Sequence, residues 1–256
     1  MARVYLVGAG PGAPDLLTLR AARLLERADV VFYDALVHPA TLALAKQARL
    51  VDVGKRYGKV STEQRFINRA LIEAARTHET VVRLKGGDPM VFGRAQEEID
   101  ALTEAGIEWE VVPGITAALA ATASLGISLT RRGVARTVTF LTPRVGRDET
   151  ASEWLPAALG ADSVALYMAA GASQAIARDL IAAGKPASTP AVLVESATLA
   201  GESHLFTTLR ELAAEPLAKA SGPVVMLVGE VFRNREALAI ALERPHELLT
   251  NPAIAS

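Results

Sequence analysis

One rhythm constrains this chain more than any other feature. Short β-branched runs at residues 4–7, 30–33, 50–53, 80–84 and 108–112 alternate with longer stretches rich in Ala, Leu, Arg and Glu at 16–27, 40–47, 63–77 and 96–105. Strand-then-helix alternation at this spacing predicts a mainly parallel sheet with helices on both faces. In 63–77, Phe66, Ala70, Leu71 and Ala74 share one helical face, the face expected to be buried.

After Pro113-Gly114 the texture changes. An Ala-rich helix is expected at 115–124, strands at 136–141, 164–167, 190–194 and 224–228, and a helix at 173–183. Residues 204–208 read as an edge strand, 143–152 as a polar loop, and the tail from Asn234 as a terminal helix with a frayed end. The fold class is therefore α/β, with two α/β lobes and a ligand in the interlobe crevice. The expected division is 1–113 for the N-terminal lobe and 114–240 for the C-terminal lobe, followed by a tail at 241–256.

Composition narrows the function classes. Of 256 residues 50% are hydrophobic, enough to bury a core and to exclude a disordered chain. Without cysteine there is no disulfide, iron–sulfur ligation or thiolate zinc site. The four histidines, at 38, 78, 204 and 246, lack metal-ligand spacing, so the expectation is no metal. Lys plus Arg total 27 against 28 Asp plus Glu, a net charge of −1 that argues against a nucleic-acid partner. Residues 111–130 carry no charge, yet Pro113, Gly114, Gly126 and the preponderance of Ala favour a buried helix over a membrane span. The chain enters its first strand with no signal-peptide run, so a soluble cytoplasmic protein is expected, with no membrane partner.

Three glycine-bearing loops follow expected strands. In the first, Gly8, Gly10 and Ala13 match the dinucleotide fingerprint with relaxed spacing, and Asp29 stands where a ribose-binding acid would. However, Pro11 and Pro14 remove backbone N–H groups from a loop that would have to cradle pyrophosphate, and Asp29 precedes its strand instead of ending it. A tight strand-to-helix turn is the better reading, and an NAD-dependent oxidoreductase the weaker one. The second loop is Lys85-Gly86-Gly87-Asp88-Pro89-Met90-Val91-Phe92-Gly93-Arg94. Its paired glycines let main chain approach a ligand closely, while Asp88 before Pro89 is compatible with a simple Asx turn. In the third, Val112-Pro113-Gly114-Ile115-Thr116-Ala117, Thr116 reads as a helix cap.

In this order, GAGPG…LLTL, VVFYDALV, VGKRYG, VVRLKGGDPMVFGR and VPGITAA resemble the S-adenosylmethionine-dependent tetrapyrrole methylases, and the similarity runs from about residue 4 to about residue 233. The resemblance implies the branch that moves methyl groups from two S-adenosylmethionine molecules to C2 and C7 of uroporphyrinogen III, giving precorrin-2 on the route to siroheme and cobalamin. It implies cofactor contacts at Pro11, Gly86, Gly87, Asp88, Val91, Thr116, Ala117, Met168 and Ala197. It also implies a proton acceptor at Asp34, a proton donor at Lys55, and a homodimer. Three departures stand out. The family has a glycine where this chain has Ser196-Ala197, GIPLTHR where it has Gly126 to Arg132 with Ser128 and Arg131, and Thr-Gly-His where it has Thr142-Pro143-Arg144.

The implied chemistry agrees with the residues. A carboxylate beside the ring stabilises the positive charge that develops on methylation and can accept the proton. By themselves the residues leave Asp34 open between that role and a strand-end cap, and Lys55 open between a site cation and a solvated lysine. A substrate with eight carboxylates calls for arginine, which grips carboxylates bidentately. Arg94 and Arg132 are favoured over Arg56, and Glu97, one turn after Arg94, is placed to orient that guanidinium or to meet pyrrole N–H groups. The competing readings are a methylase of another precorrin, the oxidoreductase above, and a catalytically silent binding module.

Overall fold

The computed structural model describes residues 2–54, 64–144, 153–215 and 220–233. They form two compact units, one of Met1–Ala120 with Glu195–Ser203, the other of Ala121–Val194 with the described residues from His204 onward. The segment after the eighth strand thus returns to the first unit, a long-range association that the expected division at 113/114 does not contain.

The first unit holds β1 (Arg3–Gly8), β2 (Val30–Tyr33), β3 (Arg49–Asp52), β4 (Thr80–Lys85) and β5 (Glu108–Val112) in the order β3-β2-β4-β1-β5. Every pairing is parallel. The connecting helices are α1 (Leu19–Glu26), α2 (Pro39–Leu42), α3 (Gln64–Ala75) and α4 (Ala95–Glu104). Alternate strand residues face opposite ways, which makes two cores. Val4, Leu6, Val30, Phe32 and Val81 pack with Ile67 and Leu71 of α3 and Ile99 and Leu102 of α4. On the other face Val7, Val31, Val82 and Leu84 pack with Ala21, Leu24 and Leu25 of α1. α1 and α4 cover opposite faces of the sheet, and the loops that lead to them, after the neighbouring strands β1 and β4, start side by side at the carboxyl ends of those strands.

The expected helix is present as α3, and of its expected face Leu71 is buried and Ala70 and Ala74 pack against the core, while Phe66 does not. Ile67, Leu71 and Ala75 turn inward, and Phe66 is 52% exposed, beneath the Arg65 guanidinium 4.9 Å from its ring centroid. The fully buried stripe at 67, 71 and 75 keeps i, i+4 spacing; Ala70 and Ala74 flank it, and Phe66 is left at the exposed edge of that flank.

The Ala-rich helix α5 (Ala117–Leu125) carries the chain into the second unit. There β6 (Val138–Leu141), β7 (Ser163–Tyr167), β8 (Pro190–Glu195), β9 (Ser203–Thr208) and β10 (Val224–Gly229) are ordered β6-β7-β10-β8-β9, so β9 is an edge as expected. β6 runs parallel to β7, and β10 runs antiparallel to it. Val164, Leu166, Leu193, Met226 and Val228 pack with α6 (Trp154–Gly160), α7 (Ser173–Ala182) and α8 (Leu209–Ala214). The sequence reading left α6 and α8 unassigned: they have seven and six residues, too short for a periodic signal. α8 is nonetheless well started, by a capping box between Thr208 and Glu211. Among the described residues no helix is long and apolar enough to cross a membrane.

Candidate active site

Loops at the carboxyl ends of β1, β2, β4 and β5 meet in one place, drawn together by glycines that leave no room for side chains. A Cβ on Gly8 would lie 2.6 Å from Gly114 Cα and 2.8 Å from the Gly87 carbonyl oxygen, and one on Gly114 would run into that same oxygen. Gly10 and Gly87 exchange backbone hydrogen bonds, N–H of Gly87 to the Gly10 carbonyl at 2.7 Å and the reverse at 3.1 Å. Both adopt left-handed conformations, with φ of 72° and 69°. Beyond Gly87 the space is open, for an added Cβ would meet only Thr116 Cα, at 3.8 Å. Main chain exposed in this way fits a ligand that approaches the backbone closely.

Asp88 fastens the loops. Its Oδ1 accepts from Met90 N at 2.8 Å, closing the Asx turn, and its Oδ2 accepts from Gly114 N at 2.9 Å, tying the β4 loop to the β5 loop. The Asp88 carboxylate thus shapes the site. Val91 turns back onto the Asp88 carbonyl, its N–H donating at 3.3 Å, and Thr116 is buried at the entry to α5, which Ala117 begins. Pro11 lies in the β1 loop, and the segment after β8 packs against that loop. Thr198 Oγ1 accepts from Ala13 N at 3.1 Å, and a Cβ on Gly12 would meet the Leu199 side chain at 2.7 Å. Ala197 is buried in this segment, and the residue in the left-handed conformation is its neighbour Ser196, with φ of 53°.

Asp34 follows β2, its backbone N–H donating to the Leu84 carbonyl at 3.3 Å. Its carboxylate touches a set of charges that the sequence reading did not single out. Arg83 donates from its terminal nitrogen to Asp34 Oδ1 at 2.5 Å and from Nε to Glu98 Oε1 at 2.9 Å. Lys85 Nζ donates to both oxygens of Glu98, at 3.0 and 2.9 Å. Arg83 and Lys85 are each 3% exposed, Glu98 is 0% and Asp34 is 30%. Burial works against the Arg83 charge, but Asp34 and Glu98 outweigh it and hold the guanidinium above its ordinary pKa. Lys85 is pushed below its ordinary value, by burial first and by the Arg83 charge second, with Glu98 opposing both. The signal was available in the sequence. Two basic residues alternate within a strand flanked by apolar residues, and Glu98 falls on the buried stripe of α4 with Ala95, Ile99 and Leu102.

Arg94 and Glu97 form a bidentate pair, Nε to Oε1 at 2.6 Å and a terminal nitrogen to Oε2 at 2.7 Å, both half-exposed. Glu97 therefore orients that guanidinium. Arg132 and Met168 belong to the second unit. Arg132 is exposed with Arg131 and Arg136 around an open hollow of about 630 Å³, and Met168, after β7, holds φ of 57°. Lys55 and Arg56 lie outside the described residues. Asp29, considered for ribose binding, accepts from the N–H groups of Glu79 and Thr80 at 3.0 and 2.8 Å, at the opposite end of the strands from the glycine loops. That placement removes the acid a dinucleotide site would need. Among the described residues no group of three or more His, Cys, Asp or Glu side chains is arranged to hold a metal ion.

A sequence profile of the Tetrapyrrole (Corrin/Porphyrin) Methylases matches residues 3–213. The chain belongs to the tetrapyrrole methylase family. A uroporphyrinogen-III C-methyltransferase of Pseudomonas aeruginosa is 43% identical over 241 residues, covering 94% of this chain and 98% of that protein. The siroheme synthase 2 of Aeromonas hydrophila is 44% identical over 92% of this chain, which spans only 50% of that longer protein. A uroporphyrin-III C-methyl transferase of Thermus thermophilus, solved in complex with S-adenyl homocysteine, superposes with a TM-score of 0.81 at 41% identity, over 91% of this chain and 99% of that one. Tetrapyrrole methylase membership thus rests on sequence and fold together.

Proposed function

We propose that this chain is a uroporphyrinogen-III C-methyltransferase, moving methyl groups from two S-adenosylmethionine molecules to C2 and C7 of uroporphyrinogen III to give precorrin-2. The observation that carries the reading is the joined loop cluster of Gly8, Gly10, Gly87 and Gly114 beside Asp34, in a chain matched almost end to end by a relative of that name. S-adenosylmethionine supplies a methyl group activated by its sulfonium. Pro11, Gly86, Gly87, Asp88, Val91, Thr116, Ala117, Met168 and Ala197 are assigned to hold it, the first loops through backbone groups.

Asp34 keeps part of its carboxylate accessible while Arg83 holds the other part. It is suited to stabilise the positive charge that a pyrrole ring acquires on attacking the methyl group, and to accept the proton the ring then loses. Lys55 is assigned as proton donor. Arg94, oriented by Glu97, and Arg132 are assigned to substrate carboxylates. The working form is taken to be a cytoplasmic homodimer.

The test is direct. Purified protein, S-adenosylmethionine and enzymatically generated uroporphyrinogen III should yield precorrin-2 or its oxidised form. Failure on this substrate with robust transfer to a later precorrin would overturn the substrate assignment.

A further inference from the structure

We propose that Arg83, locked in place by Glu98 and Lys85, is the positioning residue that aims the Asp34 carboxylate, and that this buried charge set serves catalysis and not stability. The inference rests on the reading above, in which Asp34 acts on the substrate.

The guanidinium of Arg83 is fixed by contacts on all three nitrogens. Nε binds Glu98, one terminal nitrogen binds Asp34, and the other donates to the carbonyls of Leu84 and Phe32, at 3.2 and 3.4 Å. Glu98 is itself immobilised. Both its oxygens accept from Lys85, and Oε1 also accepts from Gln64 Nε2 at 3.2 Å. Two cations thus face two carboxylates, and only Asp34 reaches the surface. The glycine loop closes over this set: a Cβ on Gly93 would stand 3.2 Å from Lys85 Cε and 2.5 Å from the Pro89 carbonyl oxygen.

Stability does not account for such an arrangement. Desolvating buried charges offsets most of their attraction, and apolar replacements of similar volume are often neutral or stabilising. What a rigid, fully hydrogen-bonded ion set supplies is geometry. A carboxylate displaced by about 1 Å can lose on the order of 100-fold in rate. Asp34 stands at a strand end, where a side chain is otherwise free to rotate, and the Arg83 bond removes that freedom.

A double-mutant cycle tests the inference. Arg83→Lys should lower kcat for methyl transfer by about 10- to 100-fold while leaving the KM for S-adenosylmethionine within about threefold. Asp34→Asn should lower kcat at least as far. If Arg83 acts through Asp34, adding Arg83→Lys to Asp34→Asn should cost less than about threefold more. The apolar triple Arg83→Met, Lys85→Met, Glu98→Leu keeps the core filled and should reproduce the kcat loss without a fall in melting temperature. It guards the test against a single variant that fails to fold.

Wild-type kcat in Arg83→Lys or in the folded triple, or losses that multiply with Asp34→Asn, would overturn the inference and leave the methyltransferase reading standing. Absence of transfer by the unaltered chain would remove both.

Discussion

In the first unit every strand is parallel, and two charged residues of β4 are buried at the heart of the sheet; in the second, β10 runs against β7 and the core from Leu141 to Val228 is apolar. The two sheets have the same number of strands and similar helical cover. They differ in what their strand ends must do. The first presents four loops at carboxyl ends, where the chain crosses itself through glycine, and keeps ions beneath them. The second packs an apolar cluster, without buried ions among the described residues, between β6–β10 and α6–α8. Among the described residues, buried charge is confined to the first unit, at Arg83, Lys85 and Glu98, while the polar residues buried in the second, such as Ser163, Ser173 and Thr189, are uncharged.

The sharpest way to break that contrast is kinetic. Asp34→Asn should reduce kcat by about 10²- to 10⁴-fold, the range for loss of a general acid–base group, a loss far beyond what the weakened Arg83 pair costs in stability; single-turnover methyl transfer measures it. Retained turnover would make the first unit's charges structural. Next come the cores. Glu98→Ala leaves Lys85 buried without its carboxylate and Arg83 with Asp34 as its one anionic partner among the described residues, and should cost about 3–5 kcal/mol in urea unfolding. Leu166→Ala in the second unit should cost about 2–5 kcal/mol by making a cavity. The magnitudes overlap while the mechanisms differ: converting Glu98 and its cations together to apolar residues should recover the loss, whereas no polar replacement at Leu166 should.

A smaller effect is expected at the loop crossing. Gly87→Ala forces a side chain into φ of 69°, costing about 1–2 kcal/mol. The methyl would project into the open space by Thr116, so S-adenosylmethionine binding, followed by calorimetry, should weaken by more than stability does.

The smallest effect concerns Asp162, in the second unit, which accepts from Arg136 N, Thr137 N and Thr137 Oγ1. Those hydrogen bonds, the Arg136 amide first, hold its pKa below the ordinary aspartate value. Its contribution to stability is therefore fully present above the ordinary value of 3.8 and lost as pH falls through the depressed one. Melting curves of the unaltered chain and Asp162→Asn should differ at neutral pH and converge at strongly acidic pH. A gap that persists there would assign the effect to packing.

The strands were legible because their β-branched runs are short and bounded, and β2 and β5 fall where the residues place them. The glycine loops and Asp34 were legible as motifs. On α3 the expected face holds at Ala70, Leu71 and Ala74, and fails at Phe66, which is apolar but sits on the flank of the buried stripe and stays exposed. Arg83, Lys85 and Glu98 are harder to read, because, taken singly, charged residues are usually solvated; Glu98 lies 15 residues from Arg83 and 13 from Lys85, and only pairing makes their burial tolerable.

The sequence by itself determined the α/β class, the order of the strands along the chain and the residue types of the candidate site, because periodicity, glycine and proline act locally. Tertiary structure alone decided that β4 lies between β2 and β1, that residues 195–203 join the first unit, and that Arg83 links Glu98 to Asp34. Each of these depends on contacts between segments distant in the chain. Such contacts are set by which faces can be buried together, and no local pattern encodes that.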